Sequence, residues 1–154
     1  MSKLPYSNSK AGQSREKEIR DTLRGVGASA VGFMVDDELG QVICQFRLHG
    51  RHITVPVSVH GYEAAWKSAF PCGPRTDKRD WNRKARGQAE IAVWGVLADW
   101  IKAQAAMIAC GFFDADRAFL AHLHLEDGRS VGEALTAPDS PLRLPPPIGG
   151  TPEN

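Results

Sequence analysis

The sequence predicts one α+β domain in which helices cover a short antiparallel sheet. Three segments between residues 29 and 59 alternate apolar with polar residues, which is the period of a strand with one buried face. A short apolar stripe of helical period precedes them, and a long, largely apolar helical run follows. At 154 residues, the chain is long enough to bury one sizeable core.

The domain is predicted to span residues 13–136 and to begin with a helix. Ser14 can cap this helix, and Ile19, Leu23 and Val26 then fall on one apolar stripe. Glycines at positions 25 and 27 end it. Residues 1–12 are rich in Ser, Asn, Lys and Gly, so they are predicted to be disordered.

Three strands joined by short turns are predicted to form an antiparallel meander. The connections "DDELG" and "HGR" have the length of hairpin loops. Pro56 has no amide hydrogen to donate, so the third strand is predicted to have an unpaired edge. The side chains predicted to face the core are Val31, Phe33, Val35, Val42, Cys44, Phe46, Leu48, Ile53, Val55, Val57 and Val59. The opposite face is predicted to carry Gln41, Gln45, Arg47, His52, Thr54, Pro56 and Ser58.

A long central helix is predicted over residues 77–109, after a helical turn in "GYEAAWKSAF" and a loop in "PCGPRT". Asp77 is a suitable N-cap, and Asp80 lies in the first turn, where a carboxylate suits the helix dipole. The helix is expected to be basic and exposed to about Gln88 and buried from Ile91 onward.

Shorter elements are predicted after the central helix. Asp114 can cap a short helix, and "HLHLEDGRSVGEAL" is typical of a strand, a tight turn at residues 127–128 and a final helical turn. Ser130 and Glu133 have the spacing of a capping box. Residues 137–154 form a Pro-rich tail that is predicted to be extended or disordered.

The C-terminal third, from "WIKAQAAMIACGFF" to "FLAHLHLEDGRSVGEAL", resembles a family of small uncharacterised proteins. Phages, prophages and other mobile elements of proteobacteria encode that family. The matching positions are Gly27, Ala28, Ile101, Lys102, Ala103, residues 119–122 and residues 127–133. The resemblance covers residues 14–135 and implies a phage or mobile-element setting, without an activity.

The strongest candidate for a binding site is the basic segment that opens the central helix. Within twelve positions this segment has six basic residues and only two acidic ones, Asp77 and Asp80. An aromatic residue, Trp81, lies among them. Such rows bind phosphates, and an exposed tryptophan could stack on a base. The alternative is a solvated helix start, whose charges are neutralised by carboxylates such as Glu63 or by a second subunit. The candidate nucleic-acid-binding residues are Arg75, Lys78, Arg79, Trp81, Arg83, Lys84 and Arg86.

Catalytic and metal sites have weaker support. His122 and His124 alternate, so on a strand both would point the same way, but no Cys or carboxylate stands at a ligand spacing. The acidic groups at residues 36–38 and 114–116 occur where turns and helix caps need them. Cys44 and Cys110 are interpreted as packed thiols, and Cys72 has no evident histidine partner. The sequence therefore predicts no enzyme, no cofactor and no metal.

The composition indicates a cellular setting. Three widely spaced cysteines argue against a disulfide framework, and neither a signal peptide nor a run of about 18 apolar residues is evident. A cytoplasmic protein without a membrane span is expected, and with a net charge of +1 any attraction to nucleic acid must be local. The first hypothesis is a nucleic-acid-binding accessory protein, and the alternative is an inhibitor of host defence that docks on a host protein. Self-association through an exposed ring among Trp94, Trp100, Phe112, Phe113 and Phe119 stays open.

Overall fold

A computed structural model describes residues 4–143 and 145–148 and contains one sheet with helices on its apolar face. A 3-10 turn at Gln13–Arg15 leads into the first helix, and another at Leu120–His122 precedes the last. The strands are β1 (Ala28–Asp36), β2 (Gln41–Leu48) and β3 (Arg51–Ser58). The helices are α1 (Glu16–Gly25), α2 (Val59–Ala69), α3 (Lys78–Ala109), α4 (Ala115–Ala118) and α5 (Val131–Thr136). This arrangement confirms the predicted α+β fold and its order of elements.

The sheet is the predicted meander, with strand order β1-β2-β3 and antiparallel pairing throughout. Cys44 pairs with Phe33 on one side and Val55 on the other, which fixes the buried face. Both hairpin turns use backbone with positive φ, at Gly40 (62°) and at Gly50 (79°). The predicted register of β2 and β3 is confirmed, because Val42, Phe46, Ile53 and Val55 are buried, although Val57 is only partly so. On β1, Val35 was predicted to face the core but is 50% exposed, because it lies on the edge strand near the end of the sheet.

The outer edge of β3 is partly covered. The His124 amide donates to the His52 carbonyl at 3.0 Å, and Ile53 forms an isolated bridge with Leu123. The predicted C-terminal strand is therefore wrong in extent: only two isolated bridges form among the described residues. The turn at Gly128 reverses the chain at once, with the Leu125 amide bound to the Arg129 carbonyl, and Pro56 offers no amide for further pairing.

The core lies between the sheet and the helices α1 and α3. Ile19 and Leu23 bury the stripe of α1, as predicted. The Phe119 ring lies 5.2 Å from the Phe46 ring and 5.7 Å from the Trp100 ring, edge-on to both. These aromatic contacts anchor the C-terminal elements to the sheet.

The central helix α3 begins and ends within one residue of its prediction, and Asp77 caps it. Burial starts earlier than expected, at Ala85 and Ala89, because α2 covers this end of the helix. By length and mean hydropathy, α3 also meets the requirement for a membrane span. Of the apolar 18-residue window in this helix, 44% is buried in the structure.

The helix α2 is longer than the predicted turn. It has 11 residues and is capped by Ser58, whose hydroxyl accepts a hydrogen bond from the Gly61 amide at 2.9 Å. Val59 therefore belongs to this helix, rather than to β3 as predicted. Packing of α2 along α3 makes a helical hairpin, with the loop 70–77 at its tip.

The N-terminal segment also differs from its prediction. Residues 4–12 lie across α3, where the Gln88 side chain donates to the carbonyls of Tyr6 and Ser9 at 2.9 and 3.1 Å. The Tyr6 hydroxyl donates to Asp99 at 2.7 Å. Gly95 permits this approach, because a Cβ there would lie 3.0 Å from the Tyr6 ring. A polar composition predicted disorder, whereas specific hydrogen bonds place the segment on the helix.

In the Pro-rich tail, the described residues after α5 form no helix or strand. Residues 1–3, 144 and 149–154 lie outside the described part of the chain, so the predictions for both termini are addressed only in part.

Candidate nucleic-acid interface

The predicted basic segment lies at the tip of the α2–α3 hairpin. The Thr76 amide binds the Gly73 carbonyl at 3.1 Å, which turns the loop, and Asp77 then accepts from the Arg79 amide at 2.7 Å. Asp80 occupies the first turn. The two carboxylates therefore have local roles in starting the helix, and the basic side chains around them project outward.

Five of the predicted residues are exposed and define the basic surface: Arg75, Lys78, Arg79, Arg83 and Lys84. Among residues 4–143 and 145–148, only Arg83 of this set forms an ion pair, with Asp80 three positions earlier. That pair is open to water, with 79% of the Arg83 side chain exposed, so it contributes little to stability. The basic surface thus sets five cations against Asp77 and Asp80.

Arg86 is separated from the basic surface by its partners. Its side chain reaches Glu63 of α2 at 3.4 Å and Glu90 of α3 at 3.0 Å. The hydrogen bond to Glu90 is the main cause of the raised pKa of Arg86. Burial opposes ionisation of Glu63, but hydrogen bonds from Lys67 and Arg86 outweigh it and lower the pKa of that carboxyl. Neutralisation by Glu63, the alternative considered for the whole segment, therefore applies to Arg86.

Trp81 is likewise engaged within the hairpin. Its indole Nε1 donates to the Phe70 carbonyl at 2.7 Å, and the Lys67 ammonium lies 5.4 Å from its ring centroid. The side chain is half-buried and joins the end of α2 to the start of α3. Trp81 is therefore not the exposed ring, free to stack on a base, that the sequence predicted. Trp66 and Phe70, 5.1 Å apart, extend the aromatic cluster under the loop.

Sequence reasoning missed Lys67, which contacts both Glu63 and Trp81 from α2. It lies eight residues before Arg75, the first residue of the basic segment, and only the hairpin brings Lys67 next to Trp81. The signal was the helical period of "GYEAAWKSAF", which predicted a turn but not a helix packed against α3.

Both histidines lie beside Thr54 and line one cleft, without a third metal-ligating side chain among the described residues. His122 lies in the 3-10 turn with its ring 5.3 Å from Trp100, and burial lowers its pKa. His124 hydrogen-bonds the Thr54 hydroxyl at 2.6 Å. Within the part of the chain that the structure describes, no three His, Cys, Asp or Glu side chains lie close enough to hold a metal ion.

The cysteines and the acidic groups have the surroundings of structural residues. Burial raises the pKa of the Cys44 thiol to about 12, so it is not a nucleophile at neutral pH. Cys110, predicted to be packed, is exposed together with Cys72. Asp36 accepts from the Leu39 amide in a turn, and Asp114 caps α4, as their spacing predicted.

A cleft of about 500 Å³ opens between α3 and the end of β1, and none of the five cations of the basic surface lines it. Val42, Val59 and Trp94 contribute apolar walls. The charged residues of its lining are Asp36, Asp37, Arg86 and Glu90, so the cleft is more acidic than basic and does not extend the basic surface.

No protein-family model, no curated protein and no solved structure matches this chain. The resemblance to phage-encoded proteins thus remains a resemblance, and the function has to be argued from the surface itself.

Proposed function

We propose that this chain is a non-enzymatic nucleic-acid-binding accessory protein of a phage or mobile element, acting in the cytoplasm. The observation that carries the proposal is the basic surface, where five exposed cations meet two carboxylates on a chain of net charge +1. The positive charge is therefore concentrated at one place, the start of the longest helix.

The fold gives no internal reason for these cations. Four of the five have no ion pair among the described residues, and all five project into solvent. Two of the five, Lys78 and Arg79, lie in the first turn of α3, where a cation opposes the helix dipole by a few tenths of a kcal/mol. An external anion would remove this penalty and would meet the positive end of the α3 dipole as well.

The expected mode of binding is contact with phosphates, without base stacking. Trp81 is committed to Phe70 and Lys67, so it is not free to receive a base. Flexible Lys and Arg side chains bind the backbone in any sequence and release counterions. Both single- and double-stranded nucleic acid should therefore bind, with little sequence preference and a steep dependence on salt.

Fluorescence anisotropy with labelled single- and double-stranded oligonucleotides at low salt tests the proposal. A variant with Arg79→Glu, Arg83→Glu and Lys84→Glu should lose binding while its circular dichroism spectrum is retained. The matched control carries Arg47→Glu, Lys102→Glu and Arg117→Glu, three exposed cations outside the basic surface. The control should retain most of the affinity, because its net charge changes equally but the surface is intact.

If the native chain does not bind at low salt, or if the control variant loses as much affinity as the first, the proposal fails. The basic segment would then be a solvated helix start.

A second candidate is an inhibitor of host defence that docks on a host protein. Phe112 and Phe113, at the end of α3, are 67% and 41% exposed, although their spacing predicted packing. Exposed aromatic rings favour protein interfaces. Such an interface should persist at salt concentrations that weaken contacts with phosphates. A pull-down from the host with and without nuclease treatment separates the two candidates.

A further inference from the structure

The two edges of the sheet are treated differently. The edge of β3 has Pro56, the His124 hydrogen bond and the bridge from Leu123. Along β1, no backbone or side-chain hydrogen bond reaches the outer edge from any residue that the structure describes. Natural sheets usually protect both edges, since an open one pairs with other chains.

The unpaired groups on β1 follow from the strand register. Because His52 accepts from His124 on the outside of β3, its partner Arg47 directs its backbone groups toward β1. The two-residue period then orients Ile43 toward β1 as well, opposite Met34. The backbone groups of Phe33 and Val35, on either side of Met34, therefore point outward.

The open part of β1 is regular and apolar. A bulge with Ala30 at φ 53° interrupts its pairing between Ser29 and Gly32, but residues 32–36 pair without a break. This run contains no proline and no basic residue. Met34 and Val35 are 52% and 50% exposed. An unpaired and largely apolar edge of this kind is suited to receive another strand.

We propose that the open edge of β1 pairs with the same edge of a second copy of this chain, antiparallel and about a twofold axis. Met34 of each copy lies on the axis, and Phe33 of one copy faces Val35 of the other. Each of these two pairs exchanges two backbone hydrogen bonds, and the sheets join into one of six strands. The proposal is independent of nucleic-acid binding.

A second copy fits because the strand is self-complementary in this register. Val35, half-exposed on the inner face, meets the Phe33 ring of the other copy, and the two Met34 side chains meet on the outer face. Gly32 faces Asp36, which leaves room for that side chain. In this register the acidic turn at residues 36–38 faces residues 30–32 of the other copy, which carry no charge. No like charges therefore oppose each other at either end of the strand pair.

Disulfide trapping tests the register directly. In a Cys72→Ser, Cys110→Ser background, which keeps only buried Cys44, Met34→Cys should oxidise to a covalent dimer. The two Cα atoms of this pair would lie about 4.5 Å apart, which a disulfide spans. Gln45→Cys, exposed on the same face but on the central strand, is the matched control and should stay monomeric.

Two solution measurements complete the test. Light scattering of the native chain should show a mass that rises toward the dimer with concentration, because one strand pair forms a small interface. Amide exchange at Phe33 and Val35 should slow over the same range, and Val35→Pro, which removes an outward N–H, should abolish both effects. If Val35→Pro does not fold, the test of β1 pairing rests on disulfide formation in the two cysteine variants and on amide exchange in the native chain. A constant monomer mass, together with equal cross-linking at positions 34 and 45, would overturn the proposal.

Discussion

Trp81 and Phe70 are joined by a hydrogen bond of 2.7 Å from the indole Nε1 to the main-chain carbonyl, which ties the start of α3 to the end of α2. Trp81→Phe keeps an aromatic ring and removes this donor. We expect a loss of about 0.5–1.5 kcal/mol in the free energy of unfolding, measured by urea titration. Affinity for single-stranded nucleic acid should not change, because the ring is already packed. Unchanged stability with strongly reduced affinity would return Trp81 to a base-stacking role.

The burial of Phe46 against Phe119 gives a second expectation. Phe46→Ala removes a ring that is 3% exposed and 5.2 Å from its neighbour, so it leaves a cavity between the sheet and the C-terminal elements. The loss should be about 3–5 kcal/mol. Gln45→Ala, one residue away on the exposed face, should cost less than about 0.5 kcal/mol. Similar melting temperatures for the two variants would show that the register is wrong.

Much of this fold could be predicted because its signals are periodic. Alternation of side chains fixed the faces of β2 and β3, and Asp77 marked the start of α3. The departures occur where tertiary contacts outweigh local composition. Polar residues before Gly12 lie on α3 because Gln88 and Asp99 bind them, and "HLHL" forms bridges because Pro56 offers no further donor.

The candidate site was predictable only in part for the same reason. A run of charges in sequence does not show which side chains will find partners across a hairpin. Glu63 is more than twenty residues from Arg86, and Phe70 provides only a main-chain carbonyl to Trp81. The helix start and the five exposed cations follow from local sequence, whereas the commitment of Arg86 and Trp81 depends on the packing of α2.

The three cysteines should differ sharply in reactivity. Cys72 and Cys110 are exposed, whereas burial raises the pKa of Cys44 to about 12. An aromatic disulfide reagent at neutral pH should therefore titrate two thiols rapidly in the native chain and a third only after denaturation. Cys44→Ala should leave the rapid phase unchanged. A rapid third thiol in the native protein would mean that Cys44 is not held on the buried face of β2.

Stability should fall as the pH falls from 7 to 5 because of His122. Burial lowers the pKa of this imidazole below its usual 6.5, so the unfolded chain binds a proton in this range more readily than the folded one. The contribution of the neutral His122 to stability is fully present above the pKa of this residue in the unfolded chain. It is lost as the pH falls from that value toward the lower pKa in the folded chain. The carboxyls with lowered pKa, such as Asp99, ordinarily titrate near 3.8 and act mainly below this window. Denaturant titrations at several pH values give the free energy of unfolding as a function of pH. Between pH 7 and 5 this free energy should fall less steeply for His122→Gln than for the native chain. An equally steep fall in the variant would contradict the assignment.

Arg86 and Arg79 should separate stability from binding. Arg86→Met leaves Glu63 partly buried without its arginine, and we expect a loss of about 1–2 kcal/mol in the free energy of unfolding. Its effect on nucleic-acid affinity should be small, because Glu63 and Glu90 already neutralise the guanidinium.

Arg79→Met should have the opposite profile, because its side chain is exposed and has no ion pair among the described residues. Its stability should stay within about 0.5 kcal/mol of the native value, since exposed charges contribute little. Its affinity for double-stranded DNA should fall at low salt, and the slope of log affinity against log salt should decrease in magnitude by about 0.9, the value for one phosphate contact. The two variants lose the same charge from the same helix, so they are matched controls for each other. If Arg86→Met reduced the salt slope as much as Arg79→Met, Arg86 would be exchanging its carboxylate partners for a phosphate, and the basic surface would extend to it.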